Sequence, residues 1–133
     1  FLIRKYEPMK KVIYSSSAPE ALGPYSQAIL VNGMLFVSGQ IPINPALKEL
    51  VTGDIQEQTK QIMTNIAAIL KQADMDFTNV VKASIFLVDM NNFDKVNTIY
   101  GQFFKENPPA RECVQVSKLP KNVDIEISVI AVK

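Results

Sequence analysis

Apolar and polar positions alternate with period two in the C-terminal stretch Val123 to Val132, where Ile125, Ile127, Val129 and Ala131 fall on one side. That spacing predicts a strand with one face in the core. Val80 to Val88 reads the same way, with Val81, Ala83, Ile85 and Leu87 as its aliphatic set. Ala28–Val31 and Met34–Ile41 predict two further strands joined at Asn32-Gly33, a dipeptide suited to a tight hairpin turn. Short strands are also predicted at Lys11 to Ser15 and Cys113 to Val116.

The period changes after Asp54. Ile55, Ile62, Ile66, Ile69 and Ala73 recur at helical spacing, and Asp54 with Glu57 forms a capping-box pattern at the start. A second helix is predicted to begin at Asn91 or Asn92 and to carry Phe93, Val96, Tyr100 and Phe103 or Phe104. Pro108-Pro109 stops it. The turn-rich run Ala18 to Tyr25 cannot be helical, and Pro42 and Pro45 end the third strand. The order is therefore β-β-β-α-β-α-β-β, an α+β chain with one mixed sheet and two helices on one face.

The opposite sheet face is expected to carry Met34, Phe36 and Ser38, then Lys82, Ser84 and Phe86, then Glu126, Ser128 and Ile130. It is too apolar to be solvated and too polar for a core, which suits packing against further copies of the chain. Ser38 and Glu126 share this face. Arg111 and Cys113 share a side with each other, and the sequence does not say which.

Composition narrows the chemistry. The 133 residues suit one domain, with 47% apolar and 20% charged residues. Residues 1–8 precede a natural-looking start at Met9 and read as a leader or added extension, leaving 9–133 as the domain. The net charge is +1 and basic residues are scattered, so nucleic acid is an unfavoured partner. No stretch approaches membrane-spanning length.

The absence of His and the single Cys exclude a His/Cys metal site, a Ser-His-Asp triad and an internal disulfide. No phosphate-cradling glycine cluster is present, so neither a metal nor an organic cofactor is expected. One Cys suits a reducing cytoplasm, although an organellar location stays open. Only two arginines occur, and Arg111 directly follows the stiff Pro108-Pro109-Ala110. A planar guanidinium in a rigid place is suited to gripping a small carboxylate or phosphate.

Two ordered motifs then carry a resemblance. Gly23-Pro24-Tyr25-Ser26-Gln27-Ala28 with Phe36-Val37-Ser38-Gly39-Gln40-Ile41-Pro42 is one. Pro109-Ala110-Arg111-Glu112-Cys113-Val114 with Leu119-Pro120 and Ile125-Glu126-Ile127 is the other. Together they resemble the Rid (YjgF-type) family, nearest its RidA branch, over residues 10 to 133.

The resemblance implies a chorismate-mutase-like fold and a homotrimer with sites between subunits. It implies hydrolysis of 2-imino acids, such as 2-iminopropanoate and 2-iminobutanoate, to 2-keto acids and ammonia. On that basis Arg111 grips the substrate carboxylate, Glu126 holds or polarises water, and Tyr25 helps to close the pocket. Ser38, Gly39 and Cys113 line it, with Asn97 as a further substrate-binding candidate. Taken singly, each has a plainer role: Arg111 pairing with Glu112 or Glu106, Cys113 as a small buried hydrophobe. Two other readings stand beside the deaminase, an RNA-directed translation inhibitor or endoribonuclease and a non-catalytic trimer that binds small anions.

Overall fold

The computed structural model describes residues 10–133, so the expected leader at 1–8 lies outside the described residues. Eight strands and two helices follow in the order β1 (Lys11–Ile13), β2 (Ala28–Val31), β3 (Met34–Gln40), β4 (Ile43–Asn44), β5 (Glu49–Leu50), α1 (Ile55–Gln72), β6 (Val80–Leu87), α2 (Phe93–Gly101), β7 (Ala110–Gln115) and β8 (Ile125–Val132). Six strands form one sheet in the order β1-β2-β3-β8-β6-β7, and β4 and β5 make a separate small hairpin. All pairings in the large sheet are antiparallel except β6 with β7, which run parallel. A parallel pair needs a crossover, and α2 supplies it.

The β2–β3 hairpin turns where expected: Asn32 and Gly33 both adopt positive φ, 50° and 76°. A turn of that hand matches the twist of the flanking strands. Helix α1 begins where the sequence places it, the Asp54 carboxylate accepting the Glu57 N–H at 2.9 Å, while the Glu57 side chain makes no return bond to complete the capping box. Its apolar stripe, including Ile62, Met63, Ile66 and Ile69, is fully buried against Leu35, Ile85, Ile127 and their neighbours. Asn65, also fully buried, donates from Nδ2 to the Ile43 carbonyl at 2.8 Å and so fastens β4 to the helix.

Five details differ from the sequence reading. The β4–β5 hairpin was hidden by Pro42 and Pro45, which punctuate the run without preventing a two-residue ladder. Val81 is 48% exposed because the β6–β8 register shifts between Val80 and Lys82, leaving Val80 to point inward instead. Asn92 makes no side-chain cap; Asp89 does so one turn earlier, accepting the Asn91 N–H at 2.9 Å. Helix α2 ends at Gly101, and Phe103 and Phe104 follow it in a turn, each with its ring 5.3 Å from that of Phe77.

Strand β7 starts at Ala110 rather than Cys113, which places Arg111 inside the ladder opposite Ala83. The sheet face away from the helices shows Met34, Phe36 and Val114 to solvent, with Val12 beyond them on β1. Amid these apolar groups Lys82 Nζ sits 2.8 Å from Glu112 Oε1, and Ser84 donates to Glu112 Oε2 at 2.6 Å. Those two partners hold the Glu112 carboxyl down at about 2. No described helix is long and apolar enough to cross a membrane.

Candidate functional site

Two clusters of chemically able side chains form on this frame, one on each face of the sheet. The first surrounds Glu126. Its strand neighbour is Phe86 on β6, and Ile125 and Ile127 on either side point into the core. Parity therefore turns the Glu126 side chain to the face away from the helices. Beside it the β3–β8 register shifts between Val37 and Gln40, so Ser38 and Gly39 sit in an irregular stretch of β3. The Glu126 carboxylate lies across Gly39: a Cβ there would meet Oε2 at 2.6 Å. Only a glycine leaves room for that approach.

Tyr25, Ser38, Gly39 and Glu126 line one cavity of about 480 Å³. The loop bearing Tyr25 is anchored by Gln27, which is buried. Gln27 Oε1 accepts the Ser15 N–H at 2.7 Å, and its Nε2 donates to the carbonyls of Ser15 at 3.1 Å and Pro19 at 2.8 Å. Ser38 Oγ donates to the Ser26 carbonyl at 2.6 Å, tying the same loop to β3. Burial pushes the Glu126 carboxyl above its ordinary value. A carboxylate so placed is a stronger proton acceptor than an ordinary glutamate.

The second cluster surrounds Arg111. Its partner in the parallel ladder, Ala83, is fully buried, and Cys113 likewise pairs with Ile85. Both therefore point to the helix side. Arg111 Nη1 donates to Asn97 Oδ1 at 2.7 Å. The guanidinium carbon lies 4.9 Å from the centre of the Tyr100 ring and 5.6 Å from that of Phe93. Phe93, Asn97 and Tyr100 are spaced four and three apart, which puts them on one stripe of α2. Helix α2 thus holds the arginine by one hydrogen bond and two aromatic contacts, and other N–H groups of the fork are left to grip an anion.

Arg111 forms no salt bridge among the described residues. Glu112, one of the partners weighed from the sequence, pairs with Lys82 instead. Burial raises the Cys113 thiol above its usual value, and the nearby Arg111 charge opposes this. Cys113 is thus mainly a neutral thiol at neutral pH. The Tyr100 hydroxyl is also raised by burial and pulled back by Arg111.

Tyr100 is only 5% exposed, and its hydroxyl has no hydrogen-bond partner among the described residues. Tyr100→Phe is therefore expected to keep the ring against Arg111 and to leave stability unchanged or raise it by up to about 1 kcal/mol. A thermal melt reads this; a clear loss would show that the hydroxyl is bonded in solution.

Within one chain, then, Tyr25, Ser38, Gly39 and Glu126 come together, and Arg111, Asn97 and Cys113 come together elsewhere. Inside one chain Arg111 and Glu126 lie on opposite faces of the sheet, because parallel pairing with β6 commits Arg111 to the helix side. Gln27, Phe93 and Tyr100 were not singled out from the sequence as site residues. For the α2 pair a signal existed in their helical spacing from Asn97; Gln27 lay in plain view within the first motif. No cluster of three or more His, Cys, Asp or Glu suited to a metal occurs among the described residues.

Comparison with known proteins gives a consistent picture. The sequence profile of the family described as endoribonuclease L-PSP matches residues 15–133. A Bos taurus protein named 2-iminobutanoate/2-iminopropanoate deaminase is 49% identical over 94% of this chain and 91% of its own length. A solved structure from Thermotoga maritima superposes with a TM-score of 0.92 at 47% identity, covering 94% of this chain and 98% of that one. A Yersinia pestis member of the Rid protein family gives 0.91 at 50% identity, with 93% and 99% covered.

Proposed function

The chain belongs to the endoribonuclease L-PSP family, the family of the Rid proteins, and from that premise we propose that it is a deaminase of reactive 2-imino acids. The observation that carries the reading is the pair of half-sites on opposite sheet faces. One presents a fixed guanidinium, the other a half-buried carboxylate with a raised pKa beside a cavity. A protonated 2-imino acid needs those two groups: a cation for its carboxylate and a base for the water that attacks its C=N carbon. The naming of 48–49% identical mammalian relatives as 2-iminobutanoate/2-iminopropanoate deaminases supports the same substrate class.

Since the two groups face away from each other in one chain, the reading requires that they meet between copies. Arg111 of one copy then closes the cavity that holds Glu126 of the next. The exposed Met34, Phe36 and Val114 supply apolar surface for that association.

In the reaction, Arg111 holds the substrate carboxylate and fixes the imine carbon over the water at Glu126. Glu126 takes a proton as the water oxygen bonds to carbon and the C=N π electrons move to nitrogen. The carbinolamine that forms takes that proton back on nitrogen, and its hydroxyl then gives its own proton to Glu126 as the C=O bond forms and ammonia leaves; Glu126 returns that proton to the departing ammonia. The iminium is already electrophilic, so orientation supplies most of what is required. Tyr25 borders the cavity, and Ser38 and Gly39 set its wall through the backbone.

The test generates 2-iminobutanoate in place with a threonine dehydratase and lets semicarbazide compete for it. Acceleration of 2-oxobutanoate release, with less semicarbazone formed, supports the reading. An unchanged partition across several imino acids contradicts it. Gly39→Ala gives a more local check. Its new Cβ must displace the Glu126 carboxylate, and misplacing a catalytic group by about 1 Å costs on the order of 10²-fold in rate. A variant that folds and keeps wild-type turnover would remove Glu126 from the reaction.

A second reading comes from the description of the matched family, which points to RNA cleavage. It expects RNA binding that weakens steeply with salt. The net charge of +1 and the dispersed lysines give it little support.

A further inference from the structure

Beside the cavity that holds Glu126 lies a second hollow of about 150 Å³. Four of its lining residues end in groups that bind anions: Tyr14, Ser16, Lys48 and Lys121. Lys121 and the apolar Pro19 and Leu22 are walls of both hollows, so the two adjoin. The main cavity, at about 480 Å³, is itself roomier than 2-iminobutanoate requires.

The backbone at the two lysines is informative. Lys48 has φ 55° in the turn between β4 and β5, and Lys121 has φ 55° in the short helical turn before β8. Glycine adopts that conformation freely and lysine does not. At Lys48 the turn is already secured by Asn44, whose Oδ1 accepts the N–H groups of Ala46 at 3.0 Å and Leu47 at 3.2 Å. Closure of that turn therefore does not depend on the Lys48 side chain. Neither ammonium has a salt-bridge partner among the described residues. Glu20 lines both hollows, and its single carboxylate leaves the pair of lysines in excess.

We propose that the Lys48–Lys121 hollow receives a second anionic group on the substrate. The chain would then act on 2-imino dicarboxylic acids in preference to monocarboxylic ones. This rests on the deaminase reading for the reacting end, and on the two lysines alone for the distal end.

Binding of the corresponding keto acids tests it by titration calorimetry, with 2-oxoglutarate and 2-oxobutanoate as probes. Wild type is expected to bind 2-oxoglutarate about tenfold more tightly, a size set by ion pairs that are still partly solvated. Lys48→Gly relaxes the strained turn and should melt no lower than wild type, yet lose most of that preference. Lys121→Asn, with a residue that tolerates left-handed backbone, should do the same. Affinity for 2-oxobutanoate should stay unchanged in Lys48→Gly, since Lys48 lines only the second hollow.

Equal affinities in wild type, a preference untouched by both substitutions, or no binding of either probe would each overturn the proposal. Hydrolysis of 2-iminobutanoate by the same preparations separates the two claims. Turnover without a dicarboxylate preference removes only the distal site. Lysine-dependent 2-oxoglutarate binding without any imine hydrolysis keeps the anion receptor and removes the deaminase.

Discussion

Arg111→Ala is expected to lower kcat/KM for 2-iminobutanoate by about 10²- to 10⁴-fold. The estimate comes from losing two charge-assisted hydrogen bonds to the substrate carboxylate, at roughly 1.5–3 kcal/mol each. Arg111→Lys should recover little, because an ammonium keeps the charge but loses the planar fork that Asn97 and Tyr100 orient. The arginine is partly buried against α2, so its removal also strips packing from Phe93 and Tyr100. Comparing melting and activity of the alanine and lysine variants separates the two effects. If both variants fold and turn over like wild type, Arg111 does not bind substrate.

The second large effect is expected at Glu126. Glu126→Gln should reduce kcat by about 10²- to 10⁴-fold, the usual contribution of a positioned general base, with a smaller change in KM. The pH dependence gives an independent reading. Burial raises the carboxyl, and the active form is the ionised one. Activity should therefore fall as pH drops through a value above the ordinary glutamate range, and that limb should vanish in the glutamine variant.

Stability should move the other way. A carboxyl whose pKa is higher folded than unfolded favours the folded state below its unfolded value, and that advantage is lost as pH rises through the folded value. Glu126→Gln should thus melt no lower than wild type at neutral pH, the gap closing towards acid pH. A wild-type acid limb that survives in the glutamine variant would assign it to another group.

The parts legible in the sequence were those set by local rules. Strand β8 keeps strict alternation along its length, and the hairpin at Asn32-Gly33 and the Asp54 cap depend on neighbours in the chain. The errors came where pairing overrode pattern. Val81 matched the aliphatic set of its strand, but a shift in register against β8 turned it outward. The face of Arg111 depended on parallel pairing of β7 with β6, a long-range choice that no local spacing encodes. The motifs pointed to Arg111 and Glu126 as candidates without revealing that one chain holds them apart. Gln27 carries no such signal because a glutamine beside a turn has many uses; its four bonds to the Ser15–Pro19 loop emerge only once that loop is folded back.

The central claim is that imines are hydrolysed at a site completed by Arg111 of one copy and Glu126 of another. Arg111→Ala and Glu126→Gln, each inactive alone, can be unfolded together, refolded as mixed oligomers and assayed for 2-iminobutanoate hydrolysis. Random mixing in equal amounts pairs an intact Arg111 with an intact Glu126 in about a quarter of sites of a cyclic assembly, so about a quarter of wild-type activity should return. Mixed oligomers that form yet stay as inactive as their parents would contradict the account.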